Sequence, residues 1–159
     1  MVSVKLITVG TLKESYLRDA AAEYEQRLGA FCKFTHVCLK EEKMPDCPSA
    51  NEIKTALSKE ADKILAEIPK KAFVVALCVE GKQLSSEELA QKMDSISTTH
   101  GEMCLIIGSS HGLDDTVKNA AHLKLSVSKL TFPHQLMRII LLEAIYRGFN
   151  ILKGTHYHK

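Results

Sequence analysis

The sequence predicts an α/β protein with a mostly parallel sheet and helices on both faces. Segments typical of strands alternate with segments of helical periodicity along all 159 residues, the pattern of parallel sheets. Residues 73–79 and 103–107 are continuous apolar runs, as expected of strands buried on both faces. No repeat or linker interrupts the chain, so we expect a single domain over residues 1–159.

Each predicted element has a local signal. The predicted strands are residues 4–9, 34–39, 73–79, 103–107 and 123–127. The predicted helices are residues 12–28, 49–68, 85–96, 114–121 and 133–152. Ser49 with Glu52, and Ser85 with Glu88, have the spacing of capping boxes. Gly81 is expected to end the third strand, and Pro133, a residue favoured in the first helical turn, to open the last helix.

Composition excludes several classes of protein. The chain has 21 basic and 19 acidic residues and so a net charge of +2. A net charge this small does not indicate nucleic-acid binding, although it is compatible with a local basic patch. No apolar stretch approaches the roughly 18 residues that span a bilayer, and we see no targeting signal. The five cysteines form no CxxC pair, which favours reduced thiols. We therefore expect a cytoplasmic protein without a membrane segment.

The loop 108–112 follows a strand that is predicted to be buried, and open α/β sheets bind ligands at such positions. Its two glycines would let backbone N–H groups approach a ligand, although two glycines after a strand are also typical of a simple turn. Neither a G-x-G-x-x-G fingerprint nor a Walker motif is present, which argues against dinucleotide binding and nucleotide hydrolysis. The segment 126–132 is either a turn capped by Thr131 or a backbone clamp for an adenosine-type ligand.

The final helix is apolar on nearly every side, so its few polar residues need partners. Glu143 and Arg147 have the i,i+4 spacing of a helix salt bridge, but on such a helix the pair also points to a site or a subunit contact. The terminal His156-Tyr157-His158 permits three interpretations: a frayed tail, two metal ligands, or a lid that touches a substrate. We expect no metal site, because no third ligand motif lies nearby.

Several motifs, taken in order, resemble one family. They are Val9-Gly-Thr-Leu-Lys-Glu14, Glu23-Tyr-Glu-Gln-Arg-Leu28, Gly81-Lys-Gln-Leu-Ser-Ser86, Ser128-Lys-Leu-Thr-Phe-Pro-His134, Arg138, Glu143, Tyr146-Arg147 and the terminal His-Tyr-His. Together they resemble the large-subunit rRNA pseudouridine N3-methyltransferases of the SPOUT class, over the whole chain. The resemblance implies a C-terminal trefoil knot, an exception to the usual unknotted topology. It also implies a homodimer that methylates N3 of pseudouridine 1915 of 23S rRNA within the ribosome or large subunit.

The resemblance also implies a cofactor, S-adenosylmethionine, bound in the knot. The residues expected to contact it are Leu77, Gly108, Val127, Ser128, Lys129, Leu130, Thr131 and Phe132. One position departs from the family, which commonly has two adjacent glycines where this chain has Gly108-Ser109. A positive φ or a lack of space for a Cβ at Ser109 would weaken cofactor binding, but we expect this small side chain to be tolerated.

Methyl transfer needs alignment of the methyl carbon with the attacking nitrogen and removal of the N3 proton. We expect Glu143, His156 or His158 to accept that proton, without ranking them. Arg138 and Arg147 are expected to bind phosphate or to stabilise developing charge on the imide, and Tyr157 to touch the substrate from the tail.

Two alternatives stay open on the sequence. One is a dimer that binds adenosine-type ligands without catalysis, and the other is a SPOUT methyltransferase with a different RNA target.

Overall fold

A computed structural model describes residues 1–159 and contains one five-stranded sheet. The strands are β1 (Ser3–Val9), β2 (Lys33–Leu39), β3 (Phe73–Lys82), β4 (Glu102–Ile107) and β5 (Leu123–Leu125). Their order across the sheet is β2-β1-β4-β3-β5, and every pairing is parallel. This arrangement confirms the α/β class and the parallel sheet.

Five helices follow the strands and cover both faces of the sheet. They are α1 (Ser15–Leu28), α2 (Ala50–Glu67), α3 (Ser86–Thr99), α4 (Asp115–Ala120) and α5 (His134–Lys153). One face packs on α1, α3 and α5, where Leu6 and Leu105 of the sheet meet Leu142 of α5. The other face packs on α2 and α4, where Ile106 meets Ile64. The alternation of side chains along each strand sends neighbouring residues to opposite faces, so both faces are apolar.

Both predicted capping boxes are confirmed. In each box the serine hydroxyl accepts the N–H of the glutamate three residues later, and the glutamate carboxylate accepts the serine N–H. Pro133 is the N-cap residue of α5, which has no side-chain cap. The side-chain bonds within residues 126–132 come from Ser126 and Ser128, so the interpretation as a turn capped by Thr131 is wrong.

Three strands begin one residue earlier than predicted, and the ends of two others, β3 and β5, differ by two or more residues. β3 does not end at Gly81 but continues to Lys82 through an irregularity in its pairing with β5. A Cβ at Gly81 would lie 2.6 Å from the carbonyl carbon of Leu125, so the glycine allows the two backbones to approach instead of ending the strand. β5 ends at Leu125, two residues earlier than predicted, and the N–H of Ser126 still bonds to the carbonyl of Lys82 at 3.0 Å.

The helix α1 begins at Ser15, later than the predicted residue 12, after Glu14 in extended conformation. Leu12 is buried in the preceding segment, so its apolar character reflects core packing and not helical periodicity. The helix α5 packs against α1 and α3. The knot expected in the C-terminal region stays a prediction. None of the helices is both long and apolar enough to cross a membrane.

Candidate functional site

A cavity of about 310 Å³ lies at the carboxyl ends of β3 and β4. Its wall comes from three distant segments: the end of β3, the loop after β4, and the chain between β5 and α5. Seven of the residues predicted to bind the cofactor line it, namely Leu77, Gly108, Val127, Ser128, Leu130, Thr131 and Phe132. Lys129 does not line the cavity and is exposed. Parallel strands end at one edge of the sheet, which explains why residues distant in sequence meet here.

Gly108 makes the floor of this cavity possible. A Cβ at Gly108 would lie 2.3 Å from the carbonyl oxygen of Gly112, a separation that no side chain tolerates. The N–H of Gly112, a residue with φ of +89°, bonds to the carbonyl of Ser109 at 2.9 Å and closes the turn. Both glycines line the cavity, and a wall of closely packed backbone is a suitable lining for a polar ligand.

Ser109, the position where the chain departs from the family, is accommodated without backbone strain. The chain has no residue other than glycine with positive φ. The Ser109 side chain is buried, and its hydroxyl donates to the carboxylate of Glu60 at 3.0 Å. The expectation that serine is tolerated here therefore agrees with the local geometry.

The segment before α5 is held by its own serines. The Ser126 hydroxyl donates to the carbonyl of Ser128 at 3.0 Å, and the Ser128 hydroxyl accepts the N–H of Leu130 at 3.0 Å. Such local side-chain bonds fix an irregular backbone that forms neither helix nor sheet. The segment lines the cavity together with the apolar side chains of Leu77 and Ile107. Apolar walls with a few fixed polar groups suit an adenosine-type ligand.

Several residues that line the cavity were not among those predicted to bind the cofactor. His134, the first residue of α5, and Cys78 of β3 both line the cavity. Burial lowers the pKa of His134, and the nearby Arg138 adds to this effect, so the neutral imidazole is favoured. Burial likewise raises the pKa of Cys78 and favours the thiol. The motif Pro133-His134 was the available signal for the histidine.

A second cluster joins the end of α5 to the C-terminal tail. Glu143 Oε1 accepts hydrogen bonds from Arg147 Nη2 at 2.6 Å and from the Tyr157 hydroxyl at 3.1 Å. His158 Nδ1 lies 3.3 Å from Arg147 Nη1, and its Nε2 lies 2.9 Å from Glu87 Oε1. Four of the predicted catalytic residues thus lie together, and Glu87 of α3 joins them without having been predicted.

The electrostatics of this second cluster favour neutral Tyr157. Partial burial, followed by hydrogen bonds to Tyr24 and Glu143, raises the pKa of Tyr157 to about 12. The guanidinium of Arg147 lies 4.8 Å from the centre of the Tyr157 ring, a cation–π geometry. The hydrogen bond from His158 is the largest cause that lowers the pKa of Glu87.

Two predicted catalytic residues lie outside the cluster. Arg138 is buried, its Nη2 donates to the carbonyl of Gly10 at 2.7 Å, and its Nε has no partner. It lies five residues before Glu143, about 140° around the helix, so the two side chains point to different neighbours. His156 is exposed. No group of three or more His, Cys, Asp or Glu side chains is placed to hold a metal ion.

The cavity and the second cluster are separate within one chain. None of Glu143, Arg147, Tyr157 or His158 lines the cavity. A ligand in the cavity of one chain would therefore not contact the carboxylate of the same chain.

The amino-acid sequence is similar to one family of known proteins over nearly its whole length. A family model described as "Predicted SPOUT methyltransferase" matches residues 2–158. Proteins named "Ribosomal RNA large subunit methyltransferase H" are 48% identical in Streptococcus suis (strain 05ZYH33) and 49% identical in Streptococcus sanguinis (strain SK36). Each alignment covers 98% of this chain and 99% of the relative. The chain therefore belongs to the SPOUT methyltransferases, in the family of the ribosomal RNA large subunit methyltransferase H proteins.

Proposed function

We propose that this protein transfers a methyl group from S-adenosylmethionine to N3 of pseudouridine 1915 of 23S rRNA, in the large subunit of cytoplasmic ribosomes. The observation that carries the proposal is the convergence of seven predicted cofactor residues, from three segments, on one cavity. Relatives named "Ribosomal RNA large subunit methyltransferase H", which align over nearly their full length, support the substrate class.

The residues around the cavity fit this cofactor. Gly108 lets the ligand come close to the backbone, because any Cβ at this position would clash. The segment 126–132, which is held by bonds of Ser126 and Ser128, provides backbone donors and acceptors. Leu77 provides an apolar wall for a purine ring. When bound, the cofactor supplies an electrophilic methyl group on a sulfonium. The protein's own contribution is then to orient the acceptor nitrogen and exclude water.

We propose that the N3 proton is accepted within the cluster of Glu143, Arg147, Tyr157 and His158. The Glu143 carboxylate is a general base candidate, and Arg147, which donates to it at 2.6 Å, fixes its position. His158 is the second candidate, and its bond to Glu87 orients the ring. His156, which is exposed and lies outside this cluster, also stays a candidate. Arg147 also serves to balance negative charge on the imide. Arg138 can have this predicted role only if its guanidinium breaks its hydrogen bond to the carbonyl of Gly10.

Separation of the cluster from the cavity leads us to propose a homodimer as the active form. In a dimer, the tail of one subunit can face the cavity of its partner, which joins the proton acceptor to the methyl donor. The nearly uniform apolar surface of α5, with Leu136 and Leu152 more than a third exposed, is consistent with a helix that packs on a partner as well as on the sheet. Sedimentation of the protein at micromolar concentration is expected to show a dimer, and a stable monomer would contradict this proposal.

The decisive experiment incubates ribosomes that lack the modification with labelled S-adenosylmethionine and then maps the label. Label on pseudouridine 1915 supports the proposal. Label at another nucleotide indicates a different RNA target. Cofactor binding without any label indicates a binding protein without transferase activity.

Single alanine variants test the proton acceptor. Loss of methylation in the Glu143→Ala or His158→Ala variant, with cofactor binding retained, supports the assignment. The Glu23→Ala variant is a matched control, because Glu23 forms an i,i+4 pair with Arg27 on an exposed face of α1. Full activity in the Glu143→Ala, His156→Ala and His158→Ala variants would contradict the assignment of a base to this region.

A further inference from the structure

We infer that Glu60 of α2 is a positioning residue for the cofactor loop, acting through the hydroxyl of Ser109. This inference rests on the proposed function for the identity of the ligand, but its geometry does not. Glu60 touches no part of the cavity. Its influence on the ligand must therefore pass through the loop that it holds.

The Glu60 carboxylate is buried between two segments and bonds to both. It is 2% exposed, and Ser109 is 3% exposed. One carboxylate oxygen, Oε1, accepts the Ser109 hydroxyl at 3.0 Å, and Oε2 accepts the N–H of Glu42 at 3.0 Å. None of the ion pairs of the chain involves Glu60.

A buried carboxylate without a cation depends on its hydrogen bonds. Glutamate is almost never fully buried unless it is paired, and removal of one partner leaves a desolvated acceptor without a donor. The Ser109 hydroxyl and the Glu42 N–H are therefore the two neutral donors that stabilise this carboxylate, and the carboxylate in turn fixes their positions. A surface glutamate would not constrain either segment in this way, because water would replace a lost bond.

The loop end of this connection lies in the cavity wall. Ser109 directly follows Gly108, where an added Cβ would lie 2.3 Å from the carbonyl oxygen of Gly112. The carbonyl of Ser109 accepts the N–H of Gly112 at 2.9 Å and closes the same turn. An anchor on the Ser109 side chain thus fixes the backbone groups that face the ligand. In a chain with glycine at this position, no hydroxyl would be available for this bond.

The other end of the connection holds the segment after β2. Glu41, next to the anchored Glu42, lies beside Gly10 and contributes to the electrostatic environment of His134 in the cavity wall. Glu60 therefore connects the cofactor loop, which lines the cavity, to the segment after β2, which does not. Lys63, one turn along α2, fastens the same segment to the helix through the side chain of Glu42 at 2.5 Å. Lys63 makes no bond to the cofactor loop, so it is a matched control.

The test compares the Ser109→Ala, Glu60→Gln and doubly substituted proteins with the Lys63→Ala control. Hydrogen exchange at the Gly112 amide of the unliganded protein is the first readout, because this amide reports closure of the loop. We expect faster exchange in the Ser109→Ala and Glu60→Gln variants and unchanged exchange in the control. The second readout is S-adenosylmethionine affinity by calorimetry, which we expect to fall about tenfold, the effect of one lost buried hydrogen bond.

The kinetic signature separates positioning from general destabilisation. In both single variants the KM for the cofactor is expected to rise about tenfold, while kcat stays within about twofold. The double variant is expected to bind the cofactor no more weakly than the single variant with the lower affinity. Equal exchange and equal affinity in the wild-type and Ser109→Ala proteins would overturn the inference, as would strictly additive losses. If the wild-type protein does not bind the cofactor, the proposed function fails, and the exchange data still decide the role of Glu60.

Discussion

Gly108 is the residue at which the cavity depends most directly on the absence of a side chain. The atoms that a Cβ would meet are backbone atoms of Gly112, at 2.3 and 2.7 Å. Backbone cannot rotate away as a flexible side chain can, so the loop itself must move.

The Gly108→Ala substitution is expected to open the loop and weaken S-adenosylmethionine binding by at least about tenfold. Overpacking is also expected to lower the free energy of unfolding by about 1–3 kcal/mol. Calorimetry and thermal unfolding would measure both effects. The Gly29→Ala variant is the control, because Gly29 ends α1 with a helical φ of −58°, and an added Cβ would lie 3.2 Å from the carbonyl oxygen of Gln26, a much milder contact than at Gly108. Native affinity in the Gly108→Ala variant would contradict this account of the cavity.

Tyr157 is expected to give the protein a distinct dependence on alkaline pH. Its pKa is raised to about 12 in the folded protein, from about 10 in an unfolded chain. The unfolded chain therefore releases this proton first, so the stability contributed by neutral Tyr157 is present below pH 10 and is lost as pH rises towards 12.

Absorbance titration of the phenolates is expected to show one late transition that disappears in the Tyr157→Phe variant. The same variant is expected to lose less stability between pH 10 and 12 than the wild-type protein. A late transition that persists in the Tyr157→Phe variant would assign it to another tyrosine.

Much of the site could be predicted from residue type, and the failures have a common reason. Gly108 and the neighbours of Val127 follow strands, and the ends of parallel strands must meet. Lys129, by contrast, lies in the predicted segment but points outward, because the orientation of a side chain in an irregular segment is set by bonds such as that from Ser126 to Ser128. The bond between Arg138 and Gly10 spans 128 positions, and no local pattern indicates it.

Elements of the fold were predictable where local and tertiary preferences agree. The capping boxes of α2 and α3 involve residues three positions apart, so the sequence contains both partners. The extension of β3 through Gly81 was not predictable, because it depends on the approach of β5, which lies more than forty positions along the chain. A glycine between a strand and a polar segment is equally consistent with a turn and with a close contact between backbones.

The contrast between two glycines tests how these elements pack. A Cβ at Gly81 would lie 2.6 Å from backbone of β5, whereas a Cβ at Gly148 of α5 would lie 2.6 Å from the sulfur of Met93. Backbone must be displaced in the first case, but a flexible methionine can rotate in the second. We expect the Gly81→Ala variant to lose about 2 kcal/mol or more in free energy of unfolding, and the Gly148→Ala variant to lose less. Denaturant unfolding would compare them, and the reverse order would contradict this reading of the packing.

The whole molecule has little net charge for a protein that acts on RNA. A charge of +2 provides few of the phosphate contacts that normally dominate RNA affinity. Recognition of an assembled ribosomal subunit by shape would supply what charge does not.

We therefore expect weak binding to a free RNA oligonucleotide that contains the target, and binding at least about tenfold tighter to the assembled large subunit. Filter binding at two salt concentrations would measure both, with a small ribosomal subunit as the control. Tight binding to the free oligonucleotide that is insensitive to salt would contradict this expectation.

The position of α5 after all five strands has a consequence for biosynthesis. Leu141, Leu142, Ile145 and Phe149 of this helix complete one face of the core, and β1, an interior strand of the sheet, pairs with β4 across about a hundred positions. A nascent chain therefore exposes a wide apolar surface until α5 has left the exit tunnel, since long-range pairing is slow. Chaperone demand should be highest while α5 is still inside the tunnel.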